Sequence, residues 1–257
     1  TIKVWAYALS KEALKGFEKF GEHLQRIYAK DSVLYGVGYD ALFVHQGVSE
    51  NTLHIPVIGE FNLSNALAVW AVLLTQGLTS DEASKCIEKL RPVPGRMELI
   101  PLGKGNKSEA LLVVVDYAHT PDALQKTLLA IRPIAEQRSG KIWCVFGCGG
   151  DRDLGKRPQM GAVAERLADH VIITSDNPRS EDPLEIMKMI RAGMSHDAQN
   201  IQMLADRAAA IMAAVRHAGK HDIVLVAGKG HETSQEIGGK KFDFSDQEHI
   251  LLAAGGG

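Results

Sequence analysis

His170-Val171-Ile172-Ile173-Thr174-Ser175-Asp176-Asn177-Pro178-Arg179 joins a continuous apolar run directly to a polar, proline-containing loop. A short run rich in β-branched residues is typical of a parallel strand that is covered on both faces. The last four residues of the stretch then follow at the carboxyl end of the strand, where open α/β sheets bind ligands. Since Asn carries donors and an acceptor and Arg carries a rigid fork of donors, the stretch predicts a binding loop. Taken alone, it fits a capped turn with a surface arginine equally well.

Three further apolar runs lead into polar loops of the same kind. Residues 111–115 precede the loop 116–122, residues 142–146 precede 147–153, and residues 223–227 precede 228–232. Helical patterns separate these runs, which predicts a doubly wound, Rossmann-like α/β domain with a mostly parallel sheet. Because the carboxyl ends of parallel strands meet at one edge of a sheet, we expect the four loops to form one site.

The first part of the chain has a different pattern. Residues 2–9 resemble a strand, residues 12–27 are amphipathic, and the alternating runs 41–45 and 52–58 predict antiparallel strands. Because the region begins on a strand with no evident partner, it is expected to be the tail of another domain.

Helix signals complete the organisation. A strongly apolar helix is predicted from Asn62 to Thr75, and Ser80 is expected to cap the next helix. Pro92 and Pro94 end that helix and open a linker, which places the predicted C-terminal domain at residues 97–257.

Turn and cap signals recur in the C-terminal region. Thr120, Asp182 and Asp206 are predicted N-caps, the first two being followed by proline at the first helical position. Gly238-Gly239 between two short polar-apolar runs predicts a hairpin turn.

Composition excludes some classes of function. A chain of 257 residues with a net charge of −2 gives no electrostatic reason to expect nucleic acid or an anionic membrane as a partner. No apolar run is long enough to span a bilayer, so no membrane insertion is expected. Cys86, Cys144 and Cys148 form no C-x-x-C pattern, which favours buried free thiols in a reducing compartment.

Six segments, in this order along the chain, carry a family resemblance: 59–65, 95–98, 116–122, 147–158, 176–179 and 228–232. Together they resemble the Mur ligases of peptidoglycan synthesis, and within that family the branch that adds the third residue to UDP-N-acetylmuramoyl-L-alanyl-D-glutamate. The resemblance implies a cytoplasmic enzyme that uses ATP and Mg²⁺ to convert a carboxylate to an acyl phosphate. The amine of an incoming amino acid then attacks to form an amide. The implied partners are ATP, the UDP-N-acetylmuramoyl dipeptide and meso-diaminopimelate.

The chain departs from the family in one respect. The family has three domains, and the resemblance implies that residues 1–96 are the distal part of a truncated central ATP-binding domain. This chain contains no G-x-x-x-x-G-K-[ST] loop to hold ATP phosphates. Residues 150–157 fit G-x-x-x-x-G-K but continue with Arg157, and Asp151 and Asp153 inside the loop would repel a triphosphate. We therefore expect the catalytic residues outside this chain and no ligase activity from the chain alone.

The resemblance assigns an amino-acid site to seven residues of this sequence: Arg152, Asp176, Asn177, Pro178, Arg179, Gly228 and Glu232. meso-Diaminopimelate carries a distal carboxylate and ammonium, whereas lysine carries only a cation there. Bidentate arginine favours the carboxylate, and Glu232 can pair with the ammonium. Two alternatives stay open: Arg152 could pair with Asp151 or Asp153, and residues 228–230 could be only a strand-to-helix turn.

The resemblance also suggests nucleotide-binding residues: Asn65, Arg96, Asp116 and His119. A carboxylate after a strand, such as Asp116, can accept ribose hydroxyls. Asn65 could instead cap its helix, and His119 could orient Asp116 or touch substrate. His231 is expected to have a structural role.

Three other functions were considered. A lysine-adding ligase is the nearest alternative, and a non-catalytic ligand-binding module is the alternative from another class. A dinucleotide-dependent oxidoreductase is disfavoured because no G-x-G-x-x-G follows a strand pattern.

Overall fold

A computed structural model describes residues 3–102, 110–197 and 199–255. The chain divides into two compact units, Thr1–Pro92 and Val93–Gly257. The sequence predicted a boundary between residues 96 and 97, slightly later than the observed division. The predicted strand start at residue 2 and the end of the glycine run at 256–257 lie outside the described residues.

The first unit contains a four-stranded sheet in the order β1-β2-β3-β4, in which β1 and β2 are parallel and the other pairs antiparallel. Its strands are β1 (Val4–Ala8), β2 (Leu24–Tyr35), β3 (Gly38–His45) and β4 (Ser49–Ile55). A 3-10 segment (Glu12–His23) and helices α1 (Glu60–Thr75) and α2 (Ser80–Ile87) complete it. The indole of Trp70, fully buried, meets Phe43 edge to face with ring centroids 5.7 Å apart and donates to the Ser84 hydroxyl at 3.1 Å.

Two expectations about the beginning of this unit are wrong. β1 has a partner, since Val4–Ala8 pairs in parallel register with the start of β2. The amphipathic pattern predicted through residue 27 ends at His23, and the strand begins at Leu24. Leu24 and Ile27 are both buried and lie three residues apart, a spacing that continues a helical pattern although the backbone is extended.

Helix starts in the first unit also differ from the prediction. α1 begins at Glu60, directly after Gly59, whose φ of 93° suits glycine. Asn65 therefore lies inside α1, and the alternative that it caps the helix is wrong. The cap of α2 is Thr79 rather than Ser80: its side chain accepts from the Glu82 amide and its own amide donates to the Glu82 carboxylate, which forms a capping box.

The second unit contains a six-stranded sheet in the order β5-β6-β10-β7-β8-β9, parallel except for the edge strand β5. Its strands are β5 (Glu98–Ile100), β6 (Leu112–Asp116), β7 (Ile142–Phe146), β8 (His170–Thr174), β9 (Ile201–Leu204) and β10 (Ile223–Ala227). Its helices are α3 (Pro121–Gln137), α4 (Lys156–Leu167), α5 (Pro183–Arg191), α6 (Arg207–His217) and α7 (Asp246–Gly255). The predicted doubly wound α/β fold is confirmed.

Burial explains the apolar runs that predicted these strands. Every residue of β6, β7 and β10 is buried, as expected for strands covered by helices on both faces. Because β6, β10, β7 and β8 are neighbours, the loops at their carboxyl ends are adjacent. The sheet thereby brings the four predicted loops to one edge.

The local signals in this unit also hold. Thr120, Asp182 and Asp206 each accept a backbone hydrogen bond as N-caps. The predicted hairpin consists of β11 (Ser234–Ile237) and β12 (Lys240–Asp243), joined by two glycines with φ of 58° and 73°. Within the described parts of the chain, no helix is both long enough and apolar enough to cross a bilayer.

Candidate functional site

A pocket of about 400 Å³ opens at the carboxyl edge of the second unit's sheet, among the loops that follow β6, β7, β8 and β10. His119 is also among its lining residues. Of the seven residues predicted for the amino-acid site, six line this pocket: Arg152, Asp176, Asn177, Arg179, Gly228 and Glu232. Their roles toward a ligand stay predictions, but their assembly from three separate loops is an observation.

Glycine allows the loops after β7 and β8 to touch. The Gly150 amide donates to the Asn177 carbonyl at 2.8 Å, and a Cβ on Gly150 would overlap the Pro178 carbonyl. A Cβ on Gly147 would likewise overlap the Thr174 carbonyl. Any larger residue would separate the loops. Pro178, the seventh predicted residue, thus takes part through its backbone contact with the glycine loop.

Arg179 has an unusual backbone conformation that the neighbouring hairpin stabilises. Its φ of 51° lies in the left-handed region, which non-glycine residues adopt rarely. Its amide donates to the Glu236 carbonyl at 3.0 Å, and its carbonyl accepts from the Gly238 amide at 2.7 Å. The guanidinium donates to the Gly150 carbonyl at 2.7 Å, and its Nε lies 3.6 Å from the Glu236 carboxylate. The hairpin therefore sets the direction of the arginine, a contribution that the sequence did not reveal.

Asn177 is held by three side-chain hydrogen bonds. Its Nδ2 donates to Glu232 Oε2 at 2.9 Å. Its Oδ1 accepts from Lys229 Nζ at 3.0 Å and from the Glu236 amide at 3.0 Å. Two donors at one end and a carboxylate at the other define which way the amide faces. Asn177 thereby joins the loop after β8 to the loop after β10.

Two of the carboxylates that line the pocket, Asp176 and Glu232, differ in their electrostatics. Partial burial of Glu232 opposes its ionisation, but the hydrogen bond from Asn177 and the adjacent Lys229 outweigh it and lower its pKa. Burial raises the pKa of Asp176, although Arg207 and Lys229 act in the opposite direction. The lowered pKa keeps Glu232 ionised at neutral pH.

Arg152 remains directed to solvent at the pocket. Its Nη1 donates to the Asp151 carbonyl at 3.1 Å in an exposed contact. Within the described residues it makes no ion pair with Asp151 or Asp153, so neither alternative pairing occurs. Lys156 also lines the pocket and donates to the His119 carbonyl at 3.0 Å.

The loop after β10 is not a strand-to-helix turn, because β10 is followed by the β11–β12 hairpin. Gly228 has a φ of 117°, and a Cβ there would lie 3.1 Å from Asp176 Oδ2. Lys229, which the sequence analysis treated only as part of that turn, is fully buried beneath the pocket. The one available signal was a lysine placed between two glycines at the end of a buried strand.

Asp116 has a structural role in this unit. Its carboxylate accepts from the amides of Met97 and Ala118, both at 2.8 Å, and from the Thr127 hydroxyl at 3.2 Å. These bonds tie the segment before β5 and the start of α3 to the end of β6. Binding of a ribose hydroxyl by Asp116 stays a prediction. The carboxylate oxygens would then accept from the ribose as well as from Met97, Ala118 and Thr127.

The other nucleotide candidates lie in different surroundings. The Arg96 guanidinium stacks over the Tyr117 ring at 4.5 Å and is exposed. His119 Nδ1 donates to the Tyr117 carbonyl at 2.9 Å, and His119 lines the pocket, so it does not orient Asp116. Asn65 belongs to the first unit, where its exposed side chain contacts Asn62 at 3.4 Å.

The family resemblance implies Mg²⁺, which oxygen ligands would bind. Among the described residues, no three His, Cys, Asp or Glu side chains are grouped as a metal site would require. The segment 150–157 does not behave as a phosphate loop either, because Arg157 is fully buried against Glu181.

Comparisons with family models, with protein sequences and with solved structures agree on one family. A family model described as "Mur ligase, glutamate ligase domain" matches residues 95–230. The chain is 59% identical over 202 residues to a protein of Ralstonia nicotianae named UDP-N-acetylmuramoyl-L-alanyl-D-glutamate--2,6-diaminopimelate ligase. A Vibrio parahaemolyticus protein of the same name is 43% identical over 250 residues. A solved structure titled as that ligase superposes with a TM-score of 0.71 at 32% identity.

The matches cover most of this chain but only part of the other proteins. The alignments cover 79% and 97% of this chain, and 38% and 48% of the Ralstonia and Vibrio proteins. The structural match covers 98% of this chain and 53% of the solved chain. The chain thus spans half or less of the length of these two relatives.

Proposed function

Because this chain belongs to the Mur ligase family, we propose that it is the amino-acid-binding part of a ligase that adds meso-diaminopimelate to UDP-N-acetylmuramoyl-L-alanyl-D-glutamate. The observation that supports this most directly is the pocket that contains Arg179, Asn177 and Glu232 together. It offers a guanidinium and a carboxylate to one ligand, as the distal end of meso-diaminopimelate requires.

The proposed roles follow from charge and geometry. Arg179 and Arg152 bind the distal carboxylate of the amino acid, where a guanidinium fork provides paired donors. Glu232, whose pKa is lowered, binds the distal ammonium, while Asn177 Nδ2 donates to Glu232 and offers its second N–H to the amino acid. Gly228 allows the ligand to approach the backbone. These contacts hold the amino acid so that its other amine can reach an acyl phosphate on the partner substrate.

Activation of the partner substrate is proposed to require the rest of the protein. ATP supplies the phosphoryl group and Mg²⁺ offsets the negative charge that gathers there. We propose Asn65 and Arg96 as nucleotide contacts. His119 lines the amino-acid pocket and can serve either ligand, and Asp116 acts mainly by holding the loops at the end of β6. The three free cysteines agree with a reducing, cytoplasmic location.

Selectivity against lysine is expected from the same contacts. Lysine has no distal carboxylate, so it would place its ammonium beside Arg179 and leave the arginine donors unpaired. A site that is built to bind a polar group strongly rejects analogues that lack this group. The pocket therefore favours meso-diaminopimelate over lysine.

Calorimetric titration of the chain with meso-diaminopimelate and L-lysine tests the proposal. We expect binding of meso-diaminopimelate only, and a loss of that binding in Arg179→Ala by a factor of about 10 to 100. Arg216→Ala, at an exposed position on α6, is the matched control and should bind like the unchanged chain.

Other results would redirect the assignment. Equal binding of lysine would favour the lysine-adding branch and refute the role of Arg179. Binding in the chain together with no turnover in a full-length protein supplied with ATP would instead identify a ligand-binding module.

A further inference from the structure

Lys229 is a buried cation that the proposed ligand contacts leave unused. Its side chain has no exposed surface, and it is not among the residues that line the pocket. A buried ammonium is stable only where hydrogen-bond acceptors and negative charges replace water. Its position therefore requires an explanation in terms of the groups around it.

Three pocket residues supply those partners. Lys229 Nζ donates to Asn177 Oδ1 at 3.0 Å and to Glu232 Oε2 at 3.1 Å, and it lies 3.6 Å from Asp176 Oδ1. Each partner lines the pocket. The ammonium thus lies behind three side chains that line the pocket.

The hydrogen-bond geometry determines how Asn177 is presented. An amide can rotate by half a turn and exchange its donor and acceptor ends. Because Lys229 and the Glu236 amide both donate to Oδ1, the Nδ2 end must face Glu232. Without the ammonium, Oδ1 would lose one of its two donors, and only the Glu236 amide and the Glu232 carboxylate would be left to oppose rotation.

The charges give Lys229 a second effect. Asp176 and Glu232 are like charges, and Lys229 lies within ion-pair distance of both. Other charged groups act on the cluster: Arg207 and Asp246 on Asp176, and Arg179 on Glu232. Arg207 and Asp246 neutralise each other in a fully buried pair. Lys229 therefore supplies the positive charge that offsets the negative charges of Asp176 and Glu232.

We propose that Lys229 is a positioning residue, which orients the Asn177 amide and keeps the Glu232 carboxylate charged and directed so that the pocket receives an ammonium group of its ligand. Lys229 itself does not touch the ligand. The identity of the ligand rests on the proposed function, whereas the network of Lys229, Asn177 and Glu232 does not.

A ligand pair separates positioning from a general structural role. meso-Diaminopimelate and 2-aminopimelate share both carboxylates, but 2-aminopimelate lacks one of the two amino groups. In the unchanged chain we expect meso-diaminopimelate to bind more tightly. Lys229→Met should weaken meso-diaminopimelate binding roughly tenfold and leave 2-aminopimelate binding nearly unchanged. An equal loss for both ligands would refute the proposal, because collapse of the pocket would affect them alike.

A double-mutant cycle tests whether Lys229 acts through Glu232. If it does, Lys229→Met combined with Glu232→Gln should bind meso-diaminopimelate no more weakly than Glu232→Gln alone. Additive losses would contradict this route. Lys141→Met, at an exposed lysine just before β7, is the matched control for removal of a lysine charge and should leave affinity unchanged.

A ligand-free measurement keeps this inference separate from the proposed function. The carboxyl carbon of Glu232, followed by NMR as pH is varied, should titrate at a higher pH in Lys229→Met than in the unchanged chain. Equal titration in both would overturn the inference even if meso-diaminopimelate binds. If the unchanged chain binds neither ligand, the proposed substrate fails and this titration alone decides the role of Lys229.

Removal of a buried cation can also prevent folding. Lys229→Met combined with Asp176→Asn removes one buried charge of each sign at similar side-chain volume. Its Glu232 titration should shift upward by less than in Lys229→Met, because loss of the Asp176 charge offsets part of the loss of the Lys229 contact. Hydrogen exchange of β10 amides verifies in each variant that the sheet is intact.

Discussion

The Arg157 guanidinium donates from both terminal nitrogens to the two carboxylate oxygens of Glu181, at 2.8 Å each. The arginine is fully buried, whereas the Glu181 side chain is 27% exposed. Glu181 also accepts from the Asp151 amide. This pair joins the start of α4 to the loop that follows Arg179 and thereby supports both arginine-bearing loops of the pocket.

Acid should weaken the second unit through this pair. The hydrogen bonds from Arg157 and from the Asp151 amide lower the pKa of Glu181. The unfolded chain then binds a proton at higher pH than the folded chain, so the contribution of Glu181 is complete above the ordinary carboxyl pKa. It is lost as pH falls through the lowered pKa. Urea titrations between pH 7 and pH 3, followed by amide NMR signals of β7, measure the effect.

Glu181→Gln is the control for the acid effect. It should lower the free energy of unfolding at pH 7 and reduce the difference between neutral and acidic pH. Parallel pH curves for the two proteins would show that Glu181 does not contribute.

Breaking the fully buried Arg207–Asp246 pair should be costly. Its two contacts are 2.7 Å each, and neither side chain is exposed. Asp246→Ala leaves the guanidinium without its counter-charge and should cost about 3–5 kcal/mol in the free energy of unfolding. Arg207→Met with Asp246→Leu should cost clearly less, because no unpaired charge remains.

Urea titration monitored by β10 amides distinguishes the two cases. The exposed pair Lys188–Glu185 provides the comparison, since Lys188→Ala should hardly change the free energy of unfolding. If the double replacement were as destabilising as Asp246→Ala, loss of packing rather than the unpaired charge would explain the cost.

A methyl group on Gly150 should separate the two loops of the site. Gly150→Ala would force its Cβ against the Pro178 carbonyl, and a backbone group cannot move aside without the whole loop. We expect faster hydrogen exchange of the Gly150 region and loss of meso-diaminopimelate binding. Gly219→Ala is the control, because its Cβ would meet Asp222 Oδ2 at an ordinary 3.6 Å. Unchanged binding in Gly150→Ala would show that loop contact is not needed.

The cap of α2 makes a pair of adjacent substitutions informative. Thr79→Ala removes the hydroxyl that accepts from the Glu82 amide and should cost about 1 kcal/mol. Ser80→Ala should cost only a few tenths, since Ser80 is the first helical residue rather than the cap. Hydrogen exchange of α2 amides reports both. A larger effect at Ser80 would reverse the assignment of the cap.

Sequence patterns predicted most elements of the second unit, because these elements depend on residues that are close together in the chain. Fully buried parallel strands need uninterrupted apolar runs, and the N-caps Thr120, Asp182 and Asp206 act within three residues along the chain. The first unit was harder, since the buried residues at the start of β2 have a spacing that fits a helix as well as a strand.

The predicted pocket shows the same division. The family resemblance named the residues of the amino-acid site, the apolar strand runs predicted that their loops share one sheet edge, and six of the seven line one pocket. The buried position of Lys229, the support from the hairpin and the structural bonds of Asp116 could not be foreseen. Each depends on partners distant in sequence.

The sequence alone determined the class of the second unit, its strand runs, its helix caps and the loops that carry polar groups, because these depend on neighbours within a few residues. Only the tertiary structure decided that β10 lies between β6 and β7 and that Asn177 meets Glu232, a residue 55 positions away. Pairing of strands and burial of charge depend on which surfaces the whole chain removes from water, and no local pattern contains that information.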